Sequence, residues 1–199
     1  MVARAFALAA AALLLGGCGG EGRLPALSAG SVVLCFGDSL TAGVGAGEEE
    51  SYPSVLATLL GCEVVNAGVP GEVSEEGLDR LAALLARHRP ALVVLCHGGN
   101  DMLRRLDDAA TARNIDAMIA QAREAGAGVI LLGVPRPGIF LKAPAFYAEA
   151  AKASGAVYEG KIVPSVLSSG ALKSDPIHPN AAGYRKMAER VAALVRVRS

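Results

Sequence analysis

The sequence contains no tryptophan, and phenylalanine and tyrosine together make up only 4% of its residues. This scarcity predicts a core of alanine, leucine and valine, and it counts against a broad aromatic platform for stacking sugars. Basic and acidic residues are equal in number, 19 of each, so the chain has no net charge. No basic block stands out, which counts against nucleic acid as a partner.

Cysteine is scarce as well, with four residues at positions 18, 35, 62 and 96. No two of them have the spacing of metal ligands, so the sequence predicts no metal site. Cys35 and Cys96 lie within apolar runs, which is typical of buried free thiols. A single disulfide among Cys35, Cys62 and Cys96 stays an open alternative.

The apolar run at the N-terminus, residues 5–15, is too short to span a bilayer and follows a basic start. It ends at Leu15-Gly16-Gly17-Cys18, which resembles a bacterial lipobox. We therefore expect a signal peptide over 1–17, lipidation of Cys18, and a tether rich in small residues over 18–30. The alternative is an ordinary secretory signal with an incidental cysteine. Either signal predicts export, and lipidation predicts a membrane anchor in the cell envelope.

Strand-like and helix-like segments alternate over 31–199, which we expect to form a single domain. Strands are predicted at 32–36, 63–65, 91–96, 129–133 and 157–158, and helices at 52–60, 75–88, 110–125, 143–154 and 180–197. Unbroken apolar strands that alternate with amphipathic helices are typical of a parallel sheet covered on both faces. Ligands of such sheets bind beyond the carboxyl ends of the strands.

A serine and an acid–histidine pair lie at positions where they could form a nucleophilic site. Ser39 follows the first long strand at a strand-to-helix turn, and Asp175 and His178 are three residues apart before the last helix. A serine hydroxyl needs a nearby base, which His178 can supply while Asp175 holds the imidazole Nδ1. The alternatives are that Ser39 only caps a helix and that Asp175 is an incidental turn residue.

Candidate hydrogen-bond donors follow the next two strands. Gly71 can offer an N–H with no side chain in the way, and Asn100 can offer a side-chain amide. Together with the N–H of Ser39, they can stabilise a developing oxyanion. Gly68 is the alternative donor in its loop, and ordinary turns are the alternative explanation for both segments.

Four blocks, 37–41, 66–71, 98–101 and 175–180, resemble those of the SGNH (GDSL) hydrolase family in order and spacing. The resemblance covers essentially the whole chain after the signal peptide. Within the family, the chain is most similar to small bacterial esterases, thioesterases and lysophospholipases. The resemblance implies a three-layer α/β/α flavodoxin-like fold with a parallel five-stranded sheet, and an enzyme without a cofactor.

The resemblance also implies a role for each site residue. Ser39 is implied as the nucleophile, His178 as the base and Asp175 as the residue that orients it, with Ser39, Gly71 and Asn100 as the oxyanion hole. The implied substrates are acyl esters, with thioesters and lysophospholipids as further candidates. A carbohydrate O-acetylesterase and a non-catalytic envelope lipoprotein are the alternatives, and no obligate protein partner is evident.

His97 departs from the family pattern, because these enzymes often carry an apolar residue at this position. We expect a hydrogen-bonded histidine at the end of a strand, and not a rival base, because no acid is obviously paired with it. The acyl pocket is expected between residues 102–107 and 135–141. Whether Ile139, Phe140 and Leu141 line this pocket or pack on the core stays open.

Overall fold

The computed structural model describes residues 24–198. The predicted signal peptide, the predicted lipidation site at Cys18 and residues 18–23 of the predicted tether lie outside these residues. Among the described helices, none combines the length and the apolar character needed to cross a membrane.

Seven strands are described: β1 (Ala26–Leu27), β2 (Val32–Gly37), β3 (Glu63–Gly68), β4 (Leu92–Cys96), β5 (Gly128–Leu132), β6 (Val157–Glu159) and β7 (Arg196–Val197). The central sheet has the order β3-β2-β4-β5-β6 with every neighbouring pair parallel. The predicted parallel five-stranded sheet is therefore confirmed. A second, two-stranded parallel sheet joins β1 to β7.

Within residues 24–198, eight α-helices lie between these strands: α1 (Ser39–Ala42), α2 (Tyr52–Leu60), α3 (Ser74–His88), α4 (Gly99–Leu103), α5 (Asp108–Glu124), α6 (Ala145–Ser154), α7 (Ile162–Ser168) and α8 (Ala181–Ala192). They form two groups, because α2 and α7 pack on α8 whereas α3 and α6 pack on α5. Strands β4 and β5 are buried at nearly every position, as expected for a sheet covered on both faces.

The register of the central strands brings three loops to one edge. Gly37 at the end of β2 pairs with Gly68 of β3 on one side and with Cys96 of β4 on the other. The segments that carry Ser39, Gly71 and Asn100 therefore leave the sheet at the same level. Parallel strands share one direction, so their carboxyl ends form a common edge at which these residues meet.

Two predictions at the chain ends are wrong in part. The last helix ends at Ala192 instead of continuing to residue 197, and β7 follows it. The end of the predicted tether belongs to the folded domain, because Leu27 is fully buried and Ala26–Leu27 pairs with Arg196–Val197. Strand β3 also continues to Gly68, beyond the predicted 63–65.

Tyrosine contributes more to the core than the composition predicted. Tyr52, Tyr147 and Tyr184 are among the largest fully buried side chains, beside the expected leucine and valine. Each hydroxyl has a partner, as buried phenols require. Tyr147 donates to the His97 carbonyl over 2.7 Å and Tyr184 donates to the Val44 carbonyl over 2.7 Å, so the core is tied to loops at the carboxyl edge of the sheet.

Candidate active site

Ser39 is held at a tight turn between β2 and α1. The buried Asp38 precedes it and accepts a hydrogen bond from the Leu40 N–H over 3.0 Å, which caps the helix. Burial raises the pKa of the Asp38 carboxyl. Gly37 is required here, because a Cβ at this position would lie 2.0 Å from the Cys96 carbonyl oxygen. The turn that carries Ser39 therefore begins at a position where any side chain would collide with β4.

Asp175 organises the loop that carries His178. Its Oδ1 accepts the backbone N–H groups of Ile177 and His178, each over 2.8 Å. Its Oδ2 lies 2.7 Å from His178 Nδ1. Partial burial opposes ionisation of Asp175, but the hydrogen bonds from His178 and from the two backbone groups lower its pKa below the ordinary value. The carboxylate is thus fixed in orientation and stays charged.

The other ring nitrogen of His178 points at the serine. Its Nε2 lies 3.0 Å from Ser39 Oγ, although the two residues are 139 positions apart. The histidine side chain is 15% exposed, whereas the Asp175 side chain is 43% exposed. The structure therefore brings Ser39, His178 and Asp175 into one hydrogen-bonded line, with the distances expected of a nucleophile, its base and an orienting acid.

Two of the predicted oxyanion donors, Gly71 and Asn100, are linked by Glu72, the residue that follows Gly71. Asn100 Nδ2 donates to the Glu72 carbonyl over 2.9 Å and lies 3.4 Å from Asp38 Oδ2. Gly71 adopts a φ of 82°, a backbone conformation that favours glycine. Among residues 24–198, no acceptor is hydrogen-bonded to the Gly71 N–H. The donors are neighbours, and this N–H is unused by the protein.

The prediction that His97 has no acidic partner is wrong. His97 is fully buried, and its Nε2 lies 3.0 Å from Glu72 Oε2. The expectation of a hydrogen-bonded histidine at the end of a strand is confirmed. Sequence reasoning missed Glu72 because it is 25 residues away from His97 and follows Gly71 with no spacing pattern that points to the histidine.

An apolar cavity of about 250 Å³ opens beside the serine. Ser39, Asn100 and His178 contribute polar groups to it, and its apolar lining includes Leu103, Val134, Leu141, Leu167 and Ile177. Gly71 lies outside this lining. The loop after β5 is divided, because Leu141 faces the cavity whereas Ile139 and Phe140 are 94% and 90% exposed.

The described cysteines form no disulfide and belong to no metal-binding group. Cys35, Cys62 and Cys96 are free thiols, and the first and last are buried. Within residues 24–198, no group of histidine, cysteine, aspartate and glutamate side chains is arranged to hold a metal ion.

Comparison with known proteins shows the family of this chain. Residues 35–186 match the model of the GDSL-like Lipase/Acylhydrolase family. Esterase TesA of Pseudomonas aeruginosa is 36% identical over 90% of this chain and 95% of its own length. Thioesterase 1/protease 1/lysophospholipase L1 of Escherichia coli K12 is 30% identical over 77% of each protein.

A solved structure shares the fold. The crystal structure of TesA superimposes with a TM-score of 0.72 and 31% sequence identity, over 82% of this chain and 97% of that one. The family match covers three quarters of the sequence, and the matched region contains the serine, the asparagine and the acid–histidine pair. The chain belongs to the GDSL-like lipase/acylhydrolase family, also known as the SGNH hydrolases.

Proposed function

We propose that this protein is a serine esterase in which Ser39 is the nucleophile and His178 the general base. Asp175 orients the imidazole of His178 and stabilises its protonated form. The observation that carries the proposal is the hydrogen-bonded line from Asp175 Oδ2 through His178 to Ser39 Oγ at the mouth of an apolar cavity. Membership of a family of ester hydrolases supports the same reaction class.

The first half of the reaction forms an acyl-enzyme. His178 Nε2 takes the Ser39 proton as Oγ bonds to the carbonyl carbon, and the carbonyl π electrons move onto oxygen. Asp175 accepts the Nδ1–H, which keeps the proton on the far side of the ring and stabilises the imidazolium. The N–H groups of Ser39 and Gly71 and the Asn100 amide receive the oxyanion. His178 then protonates the leaving alcohol as its bond to the acyl carbon breaks.

The second half hydrolyses the acyl-enzyme. A water molecule gives a proton to His178 and attacks the same carbonyl carbon, and the oxyanion again occupies the hole. Ser39 Oγ leaves and takes the proton back from His178, so the enzyme is restored. His178 accepts or donates the proton in every transfer of this scheme, which needs no cofactor.

The cavity bears on the substrate. Its volume of about 250 Å³ is below the ~300–1,000 Å³ of sites for drug-sized ligands, and its wall is mostly apolar. We propose acyl esters of short to medium chain length as substrates. Thioesters and lysophospholipids are further candidate substrates, because the Escherichia coli relative carries the names of both activities.

Export and anchoring are a separate proposal that depends on the N-terminal sequence alone. We propose that residues 1–17 are removed and that lipidation of Cys18 holds the hydrolase domain at a membrane of the cell envelope. Radiolabelled palmitate should enter the wild-type protein and not a Cys18→Ala variant. Equal labelling of both would overturn lipidation at this residue.

Hydrolysis of p-nitrophenyl esters from acetyl to palmitoyl tests the function. Ser39→Ala should abolish turnover without changing the fold, whereas Ser28→Ala, at an exposed serine beyond β1, should match the wild type. Full activity in Ser39→Ala would overturn the assignment. Activity limited to acetyl esters would favour the carbohydrate O-acetylesterase, and inactivity on every ester would favour a non-catalytic lipoprotein.

A further inference from the structure

We infer that Glu72, Arg80 and His97 form a buried positioning cluster that holds the oxyanion donors Gly71 and Asn100 in register with Ser39. The inference rests on the proposed esterase function, because it assigns a task to residues around that site. None of the three contacts the cavity, so they act through other residues.

Glu72 lies at the centre of the cluster. Its side chain is 6% exposed, and its Oε1 accepts from Arg80 Nε over 2.5 Å. Its Oε2 accepts from an Arg80 terminal nitrogen over 2.7 Å and lies 3.0 Å from His97 Nε2. Burial opposes ionisation, but the hydrogen bonds from His97 and Arg80 lower the pKa of Glu72 below its ordinary value. The carboxylate is therefore charged and fully paired, as a buried charge requires.

Arg80 extends the cluster to the ends of two strands. The same terminal nitrogen donates to the Ala67 carbonyl over 2.8 Å and lies 3.2 Å from the Gly37 carbonyl oxygen, so its two hydrogens are shared among three acceptors. The guanidinium also stacks on the Phe36 ring, 4.1 Å from its centroid. These contacts tie Glu72 to the ends of β2 and β3, from which the segments of Ser39 and Gly71 emerge.

His97 extends the cluster to the asparagine loop. Its Nδ1 accepts the Gly98 N–H over 2.9 Å, so Nδ1 carries no proton and Nε2 is the N–H that donates to Glu72. Tyr147 fixes the His97 carbonyl from the other side. These contacts select the tautomer with the proton on Nε2. Through its bond to Gly98, the ring holds the start of the turn that leads to Asn100.

Glu72 joins both donors directly. Its backbone nitrogen is bonded to Gly71, and its carbonyl oxygen accepts one amide hydrogen of Asn100 over 2.9 Å. That bond orients the amide, and the acceptor of its other hydrogen is Asp38 Oδ2, 3.4 Å from Nδ2, until an oxyanion takes that place. Movement of the Glu72 backbone consequently shifts both donors together, so the clamp on its carboxylate sets the geometry of the oxyanion hole.

Glu72→Gln removes this clamp with little change of volume. The amide has one acceptor oxygen and one donor nitrogen, whereas Arg80 and His97 both present donors. At least one donor therefore faces the amide nitrogen in either orientation, and that contact is repulsive. Glu159→Gln is the matched control, because Glu159 is also a buried carboxylate at the end of a strand, paired with Arg190 and lying outside the proposed site.

The experiment measures kcat and KM on the best p-nitrophenyl ester, inhibition by a short alkyl boronic acid, and thermal stability. A boronic acid bonded to Ser39 becomes a tetrahedral boronate that places one of its oxygens in the hole, so its affinity reports the hole directly. Glu72→Gln should lower kcat about 10- to 100-fold and weaken the inhibitor by the same factor. KM should stay within about threefold, because ground-state binding is unaffected.

Two variants of His97 provide a test that does not depend on the folding of Glu72→Gln. His97→Gln can place its amide N–H near the former Nε2 and keep the bond to Glu72, so it should retain activity within about threefold. His97→Leu lacks both polar contacts and should lose about 10-fold or more in kcat with the same weakening of the inhibitor. Circular dichroism checks that both are folded.

The outcomes separate this inference from the proposed function. Loss of kcat and of boronic-acid affinity in Glu72→Gln and His97→Leu, with Glu159→Gln and His97→Gln close to wild type, supports the cluster. If Glu72→Gln and Glu159→Gln fall equally, or if the inhibitor binds the folded His97→Leu variant as it binds the wild type, the inference is overturned while the Ser39-dependent esterase stands. Full activity in Ser39→Ala overturns both.

Discussion

Replacement of Asp175 by asparagine should damage the enzyme more than replacement by alanine. The reason lies in the two oxygens of the carboxylate. Oδ1 accepts two backbone N–H groups, so the oxygen of an asparagine amide must take that position. The amide nitrogen then faces His178 Nδ1, which can accept its hydrogen only by moving the imidazole proton to Nε2. A ring in that state presents a donor to Ser39 and cannot take its proton.

The size of each effect follows from the exposure of the site. A carboxylate about 4 Å from an imidazolium is worth ~1 kcal/mol in water and ~4 kcal/mol near a protein surface. Asp175 is 43% exposed, so we take about 2 kcal/mol, which corresponds to an approximately 30-fold loss of kcat for Asp175→Ala. Water can accept the Nδ1–H in that variant. Asp175→Asn adds the wrong protonation state of the ring, and we expect a loss of about 10³-fold.

The assay is steady-state hydrolysis of the best p-nitrophenyl ester by wild type, Asp175→Asn and Asp175→Ala. The three proteins are compared at the same pH and over the same range of substrate concentrations. If the kcat of Asp175→Asn equals or exceeds that of Asp175→Ala, the assignment of the two carboxylate oxygens is refuted.

The thiols and the buried glutamate give two further predictions. Burial raises the pKa of all three described thiols, but only Cys62 is partly exposed, so it should react with a thiol reagent in the native protein while the buried Cys35 and Cys96 resist. Rapid reaction of more than one thiol among residues 24–198 would contradict this. The stability advantage of wild type over Glu72→Gln should be complete above the ordinary glutamate pKa of 4.5 and should disappear as the pH falls through the lowered pKa of Glu72. Urea unfolding at several pH values measures it, and an advantage that grows in acid would show that the sign is wrong.

The sequence predicted the fold class because its local patterns are strong. Apolar runs long enough for buried strands alternate with amphipathic helices, and only a parallel sheet covered on both faces accommodates that order. Glycine, proline and capping residues ended most elements within a residue or two of their predicted bounds. The exceptions have long-range causes, because the last helix gives way to β7, whose partner β1 is about 170 positions earlier in the chain.

The proposed reacting residues could also be recognised from local sequence. Asp175 and His178 share one turn, so their contact requires no information from the rest of the chain. Ser39 could be added because it follows a strand, and the carboxyl ends of parallel strands meet at one edge. Nothing local distinguished Leu141, which lines the cavity, from Ile139 and Phe140, which face solvent.

The sequence by itself therefore determined the parallel sheet covered by helices and the reaction class, and it supplied the proposed reacting residues, because these depend on short patterns and on the common polarity of parallel strands. Only the tertiary structure decided that Glu72 pairs with His97 and Arg80, and which side chains line the cavity. Such contacts depend on the register between strands and on how helices pack across them. Those quantities are set by the whole core together, and no short segment of the sequence contains them.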